Sequence, residues 1–268
     1  MLHRLAFMLL IFGLIYPATG ISAEIRIGGT GNALGTMLLL GEAFSKSRPD
    51  TKVTILPSIG TSGAVKAAAK GSIEIGLSSR LLTGEESATG LVSLEYATSP
   101  TVFAVHAKNK TTTLSRQQIA DIYAGKMTSW SDGSTIRPIL RQPGDDNTRQ
   151  IKGLSAEIEK SLIAAENRQG MAFAVTDQEA ADKIESIQGG FGVTTLALIL
   201  SEKRNLRALA IDNVEPTPQN AISGRYPLLK RFYLVLPKEV PPATREFAAF
   251  VKSPEGKKIL EQNGHAIP

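Results

Sequence analysis

The sequence has 268 residues and 42% hydrophobic content, enough for one large domain or two of ordinary size with real cores. It contains no cysteine, which excludes disulfides, thiol chemistry, cysteine-ligated metals and a lipid-modified cysteine anchor. The 30 Lys plus Arg and 25 Asp plus Glu are interspersed, with no basic run of the kind that tracks a nucleic-acid backbone, so no nucleic-acid partner is expected.

The N-terminus comes first in chain order. One cationic residue, Arg4, precedes an uncharged apolar run over residues 5–16, and small residues follow in Pro17-Ala18-Thr19-Gly20-Ile21-Ser22-Ala23. That order is a secretory signal peptide over residues 1–23, with cleavage after Gly20 or after Ala23. The run is too short for a comfortable membrane span, which needs about 20 apolar residues. The mature chain keeps 29 Lys plus Arg against 25 Asp plus Glu, so its net charge falls from +5 to +4. An exported, untethered protein useful in uptake needs an enclosed compartment, and the periplasm is the expected one.

Short apolar runs then alternate with helical patterns, the signature of an α/β fold. Strands are predicted over 24–28, 52–57 and 73–77. A helix is predicted over 32–47, with Leu34, Met37, Leu38, Gly41 and Phe44 along one face, and another over 64–70, closed by Gly71. Ser115-Arg116-Gln117-Gln118 has the form of a capping box, and Gly125 stands where a C-terminal cap belongs. A strand over 136–140, a helix over 148–166 and a strand over 232–236 follow. Ser253-Pro254 starts a last helix that Gly264 ends.

The chemistry concentrates in four loops at strand ends: Gly28-Gly29-Thr30-Gly31-Asn32, Gly60-Thr61-Ser62-Gly63, Ser78-Ser79-Arg80, and the run from Arg141 to Arg149 that contains Pro143, Gly144, Asp145, Asp146, Asn147 and Thr148. A helix start offers unpaired N–H groups and partial positive charge; glycine lets an anion approach, and Ser or Thr adds donors. One such loop is usually only a turn and a cap. Four at the carboxyl ends of strands, where open α/β sheets bind ligands, point to an anion.

Rival chemistries lack their residues. No Gly-Lys-Ser/Thr follows the first loop, and Leu34 stands where a dinucleotide fingerprint needs glycine. The three histidines, His3, His106 and His265, form no zinc cluster. Ser62 and Ser79 have no histidine or Ser-x-x-Lys partner to activate them, so no enzyme activity and no cofactor are expected. His106 and Trp130 read as packing residues.

Several segments resemble the phosphate-binding proteins of ABC transporters, of the type II periplasmic-binding-protein fold, over nearly the whole mature chain. The first loop is similar in place, with Thr30 at the family's ligand-binding threonine and Gly31 beside it. The run Ile59 to Lys66 resembles the glycine–serine loop, and Ile73 to Arg80 the next strand and loop. Asp121-Ile122-Tyr123-Ala124-Gly125-Lys126-Met127-Thr128-Ser129-Trp130 is the most specific match; Tyr226-Pro227-Leu228 and Phe250 to Gly256 resemble late segments. The resemblance implies two lobes with a ligand cleft between them and two chain crossings. Residues 24–104 and 234–268 form lobe one, and 105–233 lobe two. It also implies an ABC permease as partner, a monomer, and capture of a tetrahedral oxyanion, phosphate first. The alternatives are sulfate, molybdate or tungstate, or a sensory or interaction module that kept the fold and lost transport.

Two positions depart from the family. Ser79 stands where an aspartate is frequent, and the family's Ser-Gly-Thr after an arginine reads Asp146-Asn147-Thr148, one residue further from Arg141. Asp145 and Asp146 either supply an acceptor to the ligand or cap the helix and oppose an anion. The expected ligand shell is Thr30, Gly31, Thr61, Ser62 and Ser79 from lobe one with Arg141, Asn147 and Thr148 from lobe two. Arg141 is the main counter-charge, its guanidinium forking to two oxygens; the alternative is a salt bridge to Asp145 or Asp146. Arg80 and Arg149 are weaker candidates.

Overall fold

The structure is a computed structural model that describes residues 23–268. The signal peptide read over residues 1–23 lies outside the described residues, save for Ala23. In chain order the elements are β1 (Ala23–Gly29), α1 (Gly31–Ser47), β2 (Thr51–Ile55), α2 (Gly60–Ala69), β3 (Ile75–Ser78), α3 (Gly84–Ala88), β4 (Leu91–His106), β5 (Thr113–Leu114), α4 (Arg116–Ala124), β6 (Arg137–Arg141) and α5 (Asp146–Lys152). They continue with α6 (Ala156–Glu166), β7 (Ala172–Ala174), α7 (Asp177–Ser186), β8 (Gly190–Thr195), α8 (Leu196–Ser201), β9 (Leu206–Ala208), β10 (Ala210–Ile211), α9 (Pro218–Ile222), β11 (Leu229–Pro237), α10 (Pro242–Val251) and α11 (Pro254–Gln262).

This is the expected α/β architecture, divided into two lobes by its cores. One core joins Ile25, Ile27, Met37 and Phe44 to Leu234, Phe247 and Leu260, drawing on both ends of the described chain. Two others draw on the middle, with Phe103, Tyr123, Trp130 and Phe191 in one cluster and Val102, Ile139, Ile184 and Leu198 in its neighbour, while a small fourth joins Val65, Ile73 and Leu91 to Val235 in the first lobe. Eight strands run in the order β2-β1-β3-β11-β4-β8-β6-β7, with β9 also on β4. Strand β4 belongs to both lobes. It pairs β11 from Leu91 to Pro100, then β8 from Thr101 to Val105. Pro100 has no N–H to give and stands where the partners change.

Local chemistry explains the element boundaries. Helix α1 packs closely on β2 because position 41 is glycine: a Cβ there would lie 2.9 Å from Val53 Cγ1. Helix α4 carries both bonds of the Ser115/Gln118 capping box and ends on Gly125 in the left-handed region at φ 74°. Trp130 is buried against Phe191, its indole donating to the Gly189 carbonyl.

Two helices differ from expectation. The single helix predicted over 148–166 is two, α5 and α6. Gly153 closes the first, and the Ser155 hydroxyl caps the second by accepting from the Ile158 N–H. Helix α2 begins at Gly60 instead of residue 64, so the donor-rich segment is itself the first helical turn.

His265 sits behind α1, 2% exposed, with Nε2 3.0 Å from the Thr36 hydroxyl and its ring edge-on to Phe232. Burial lowers its pKa from 6.5 to about 3. The unfolded chain therefore takes up this proton first, and stability present above about pH 6.5 declines as pH falls toward 3. The expected loss from this group at pH 5 is about 2 kcal/mol. Denaturant melts at pH 7.5 and pH 5 check it: the drop in the parent should shrink in His265→Gln, and equal drops would remove His265 as its source.

Candidate functional site

Between the lobes lies a cavity of about 400 Å³. The chain reaches it by the route that sheet topology dictates: β1, β3 and β6 end at it, and α1, α2, α5 and α7 start from it. Helix amino ends therefore converge on one space and bring partial positive charge to it.

Lobe one supplies hydroxyls. Thr30, buried at the N-cap of α1, makes no side-chain capping bond to its own helix. The Thr61 hydroxyl accepts from the Ser79 N–H at 3.0 Å and lies 3.2 Å from the Ser79 hydroxyl, which fastens the start of α2 to the end of β3. Ser62 is exposed on the first turn of α2. The N-cap of α2 is Ile59, which has no side-chain acceptor, and Gly60 turns the chain there at φ +66°. The leading N–H groups of α2 thus have no side-chain cap.

Lobe two supplies charge. Arg141, at the end of β6, is 8% exposed. Its Nη2 donates to Asp145 Oδ2 at 2.7 Å and lies 3.4 Å from Asp177 Oδ1. Neither Nε nor Nη1 has a hydrogen-bonding partner in the protein. Burial pulls the arginine's pKa down, but the Asp177 and Asp145 charges outweigh it and the net direction is up. Asp146 ion-pairs with Lys230, a fully buried lysine of β11, and accepts from Gln150 Nε2 at 2.9 Å. Burial pushes the Asp146 carboxyl up, and the Lys230 charge and hydrogen bond more than reverse that.

Six of the eight residues expected to bind the ligand line this cavity: Thr30, Thr61, Ser62, Ser79, Arg141 and Asn147. Gly31 and Thr148 do not. The extra residue in the loop makes Asp145 the N-cap of α5, accepting from the Asn147 N–H at 2.9 Å, and this sets Thr148 two residues into the helix, 2% exposed. Arg141 makes the ion pair that stood as the alternative, with Asp145, and a second one with Asp177. Arg80 is held by both Glu86 oxygens, and Arg149 is exposed with Nη1 on the Gly144 carbonyl.

Sequence reasoning missed Asp177 and Lys230, and it named Asn32 in the first loop without placing it in the ligand shell. Thr176-Asp177-Gln178-Glu179 has the Thr-x-x-Glu form of a helix start, and the Thr176 hydroxyl does cap α7. Lys230 stands in a strand whose other neighbours are largely apolar. The lining holds four cations (Arg80, Arg141, Arg149, Lys230) and three carboxylates (Asp145, Asp146, Asp177).

The sequence from residue 16 to residue 255 matches the family model of a PBP superfamily domain. The chain belongs to this superfamily. A solved structure described as a phosphate ABC transporter substrate-binding protein with bound phosphate, from Clostridium perfringens, shares 26% identity at a TM-score of 0.75, covering 91% of this chain and 99% of that one. The phosphate-binding protein PstS of Bacillus subtilis is 22% identical over 256 residues, 92% of this chain and 81% of that protein. The phosphate-binding protein PstS 2 of Streptococcus agalactiae is 36% identical over 117 residues, and that match spans 44% of this chain and 40% of the relative's length. Among the described residues no helix is long and apolar enough to cross a membrane.

Superfamily membership leaves the local balance of charge to the residues themselves. Removing the guanidinium strands two carboxylates, so Arg141→Ala should lower unfolding free energy by about 3 kcal/mol, the scale for breaking a buried pair. Urea titration measures this directly; an unchanged midpoint would mean that Asp145 and Asp177 find solvent at no cost.

Proposed function

We propose that the chain is a periplasmic receptor that captures a small tetrahedral oxyanion, inorganic phosphate first, and hands it to an ABC permease in the inner membrane. The observation that carries the reading is one set of donors around one cavity: the uncapped start of α2, the hydroxyls of Thr61, Ser62 and Ser79, and Arg141, two of whose buried nitrogens have no partner in the protein. Backbone N–H groups and hydroxyls suit an oxyanion's many acceptors, and the arginine fork suits two oxygens of a tetrahedron. The bound phosphate of the Clostridium perfringens relative supports this choice of anion.

The protein acts in this reading as a binder and not as an enzyme. No histidine is among the cavity's lining residues, and the Ser79 hydroxyl faces the Thr61 hydroxyl instead of a base. The lobes, with their crossings where β4 changes partners after Pro100 and where β11 begins at Leu229, swing about these two strands and close on the ligand as a monomer.

Calorimetry on anion-stripped protein against phosphate, sulfate, molybdate and tungstate tests the proposal. One-to-one phosphate binding without divalent cation is expected. Thr61→Ala should weaken it roughly tenfold, the effect of one lost hydrogen bond at about 1.4 kcal/mol. Heat from another anion but none from phosphate moves the assignment to that anion. Silence from all four replaces transport by an interaction role.

A further inference from the structure

The start of α1 already holds an anion of the protein's own. Asp177 opens α7 in lobe two and is 6% exposed. Its Oδ2 accepts from the Asn32 N–H of α1 at 3.1 Å and lies 3.5 Å from the Thr30 hydroxyl. Its Oδ1 accepts from Asn147 Nδ2 at 3.2 Å and lies 3.4 Å from Arg141 Nη2. Thr30, Arg141 and Asn147 are donors that an incoming anion is expected to use, and here one carboxylate takes something from each.

The next residue reinforces the contact. Gln178 Nε2 donates to the Gly31 carbonyl at 2.8 Å, so two consecutive residues of lobe two clasp the first turn of lobe one. Gly31 permits that approach: a Cβ there would stand 2.9 Å from Asp177 Oδ2 and 2.3 Å from Gln178 Oε1. Arg141 meanwhile serves two carboxylates with one charge.

We propose that Asp177 is a tethered stand-in for the ligand: its carboxylate holds the lobes together when the cleft is empty, and an oxyanion enters by displacing it from Arg141 and α1. The idea rests on the oxyanion reading above and adds an affinity- and specificity-setting residue to it. A competitor built into the chain raises the apparent dissociation constant by the fraction of molecules it keeps clasped. It also sets a threshold. A doubly charged oxyanion gains more from Arg141 than the single carboxylate does, whereas a monoanion offers the arginine no more charge than Asp177 already provides.

The test pairs Asp177→Ala with Gln178→Ala, which removes the neutral half of the clasp and leaves the carboxylate. Arg141 keeps Asp145 in either variant, and circular-dichroism melts confirm folding. Small-angle scattering without ligand should give a larger radius of gyration for Asp177→Ala than for the parent, with Gln178→Ala in between. Calorimetry with inorganic phosphate should give roughly tenfold tighter binding for Asp177→Ala, as expected if about nine in ten parent molecules are clasped. Unchanged scattering overturns the clasp. Weaker phosphate binding in Asp177→Ala overturns the competition and makes the carboxylate part of the anion's shell. If parent and variant both ignore phosphate, the phosphate reading falls, and the scattering alone decides whether Asp177 holds the lobes together.

Discussion

The buried guanidinium of Arg141 is the constraint around which the cleft is organised. A charge withdrawn from water must be compensated, and here the compensation comes from Asp145 four residues along the same loop and Asp177 on another helix. Asp145 can serve only because it also caps α5, and Asp177 only because α7 begins against α1. The arginine's position at the end of β6 thus fixes how two helices of lobe two start, and through Asp177 how lobe two meets lobe one. A second buried cation, Lys230, repeats the pattern with Asp146 where β11 enters the sheet.

The four helix starts facing one cavity are differently disposed toward an anion. The first turn of α1 is taken by Asp177, α5 is capped by Asp145 and α7 by Thr176. Only α2 has neither a side-chain cap nor a carboxylate on it, and the hydroxyls of Thr61 and Ser62 belong to that same first turn. The positive ends of backbone dipoles are therefore unevenly available. The donors lining the cleft lie on the α2 side with Arg141 opposite, and the acids are grouped toward α1 and α5.

Much of this was legible in the residues. Glycine, threonine and serine at strand ends picked out Thr30, Thr61, Ser62 and Ser79, which line the cavity, because donor-rich helix starts have a short-range signature. The capping box at Ser115 and the glycine at 125 marked α4 for the same reason. What stayed hidden was set by distant packing. Asp177 lies far along the chain from Thr30 and acquires its role only when α7 is laid against α1. Lys230 looks like a strand residue until α5 brings Asp146 to it. Thr148 stands off the cavity's lining because one further residue after Arg141 shifts the helical phase, a difference of about 100° that spacing from Arg141 alone does not reveal. The long strand β4 escaped notice since it serves two cores and its Pro100 reads as a break.

That strand has a mechanical consequence. β4 and β11 pair, with one register shift between Phe232 and Tyr233, up to the point where they pass between the lobes, Leu229 opposite Pro100, and the C-terminal tail adds a further bridge between Ala266 and Thr98. A ladder of this kind resists sliding of one strand along the other, since that would break every rung together, while it yields to twisting and bending about its length. The Ser99 hydroxyl, donating to the Gly264 carbonyl and accepting from the Ala197 N–H, stiffens the same spot from both lobes. The joint is thus compliant in few directions. Any relative movement of the lobes is thereby biased toward rotation about an axis that is written into the sheet.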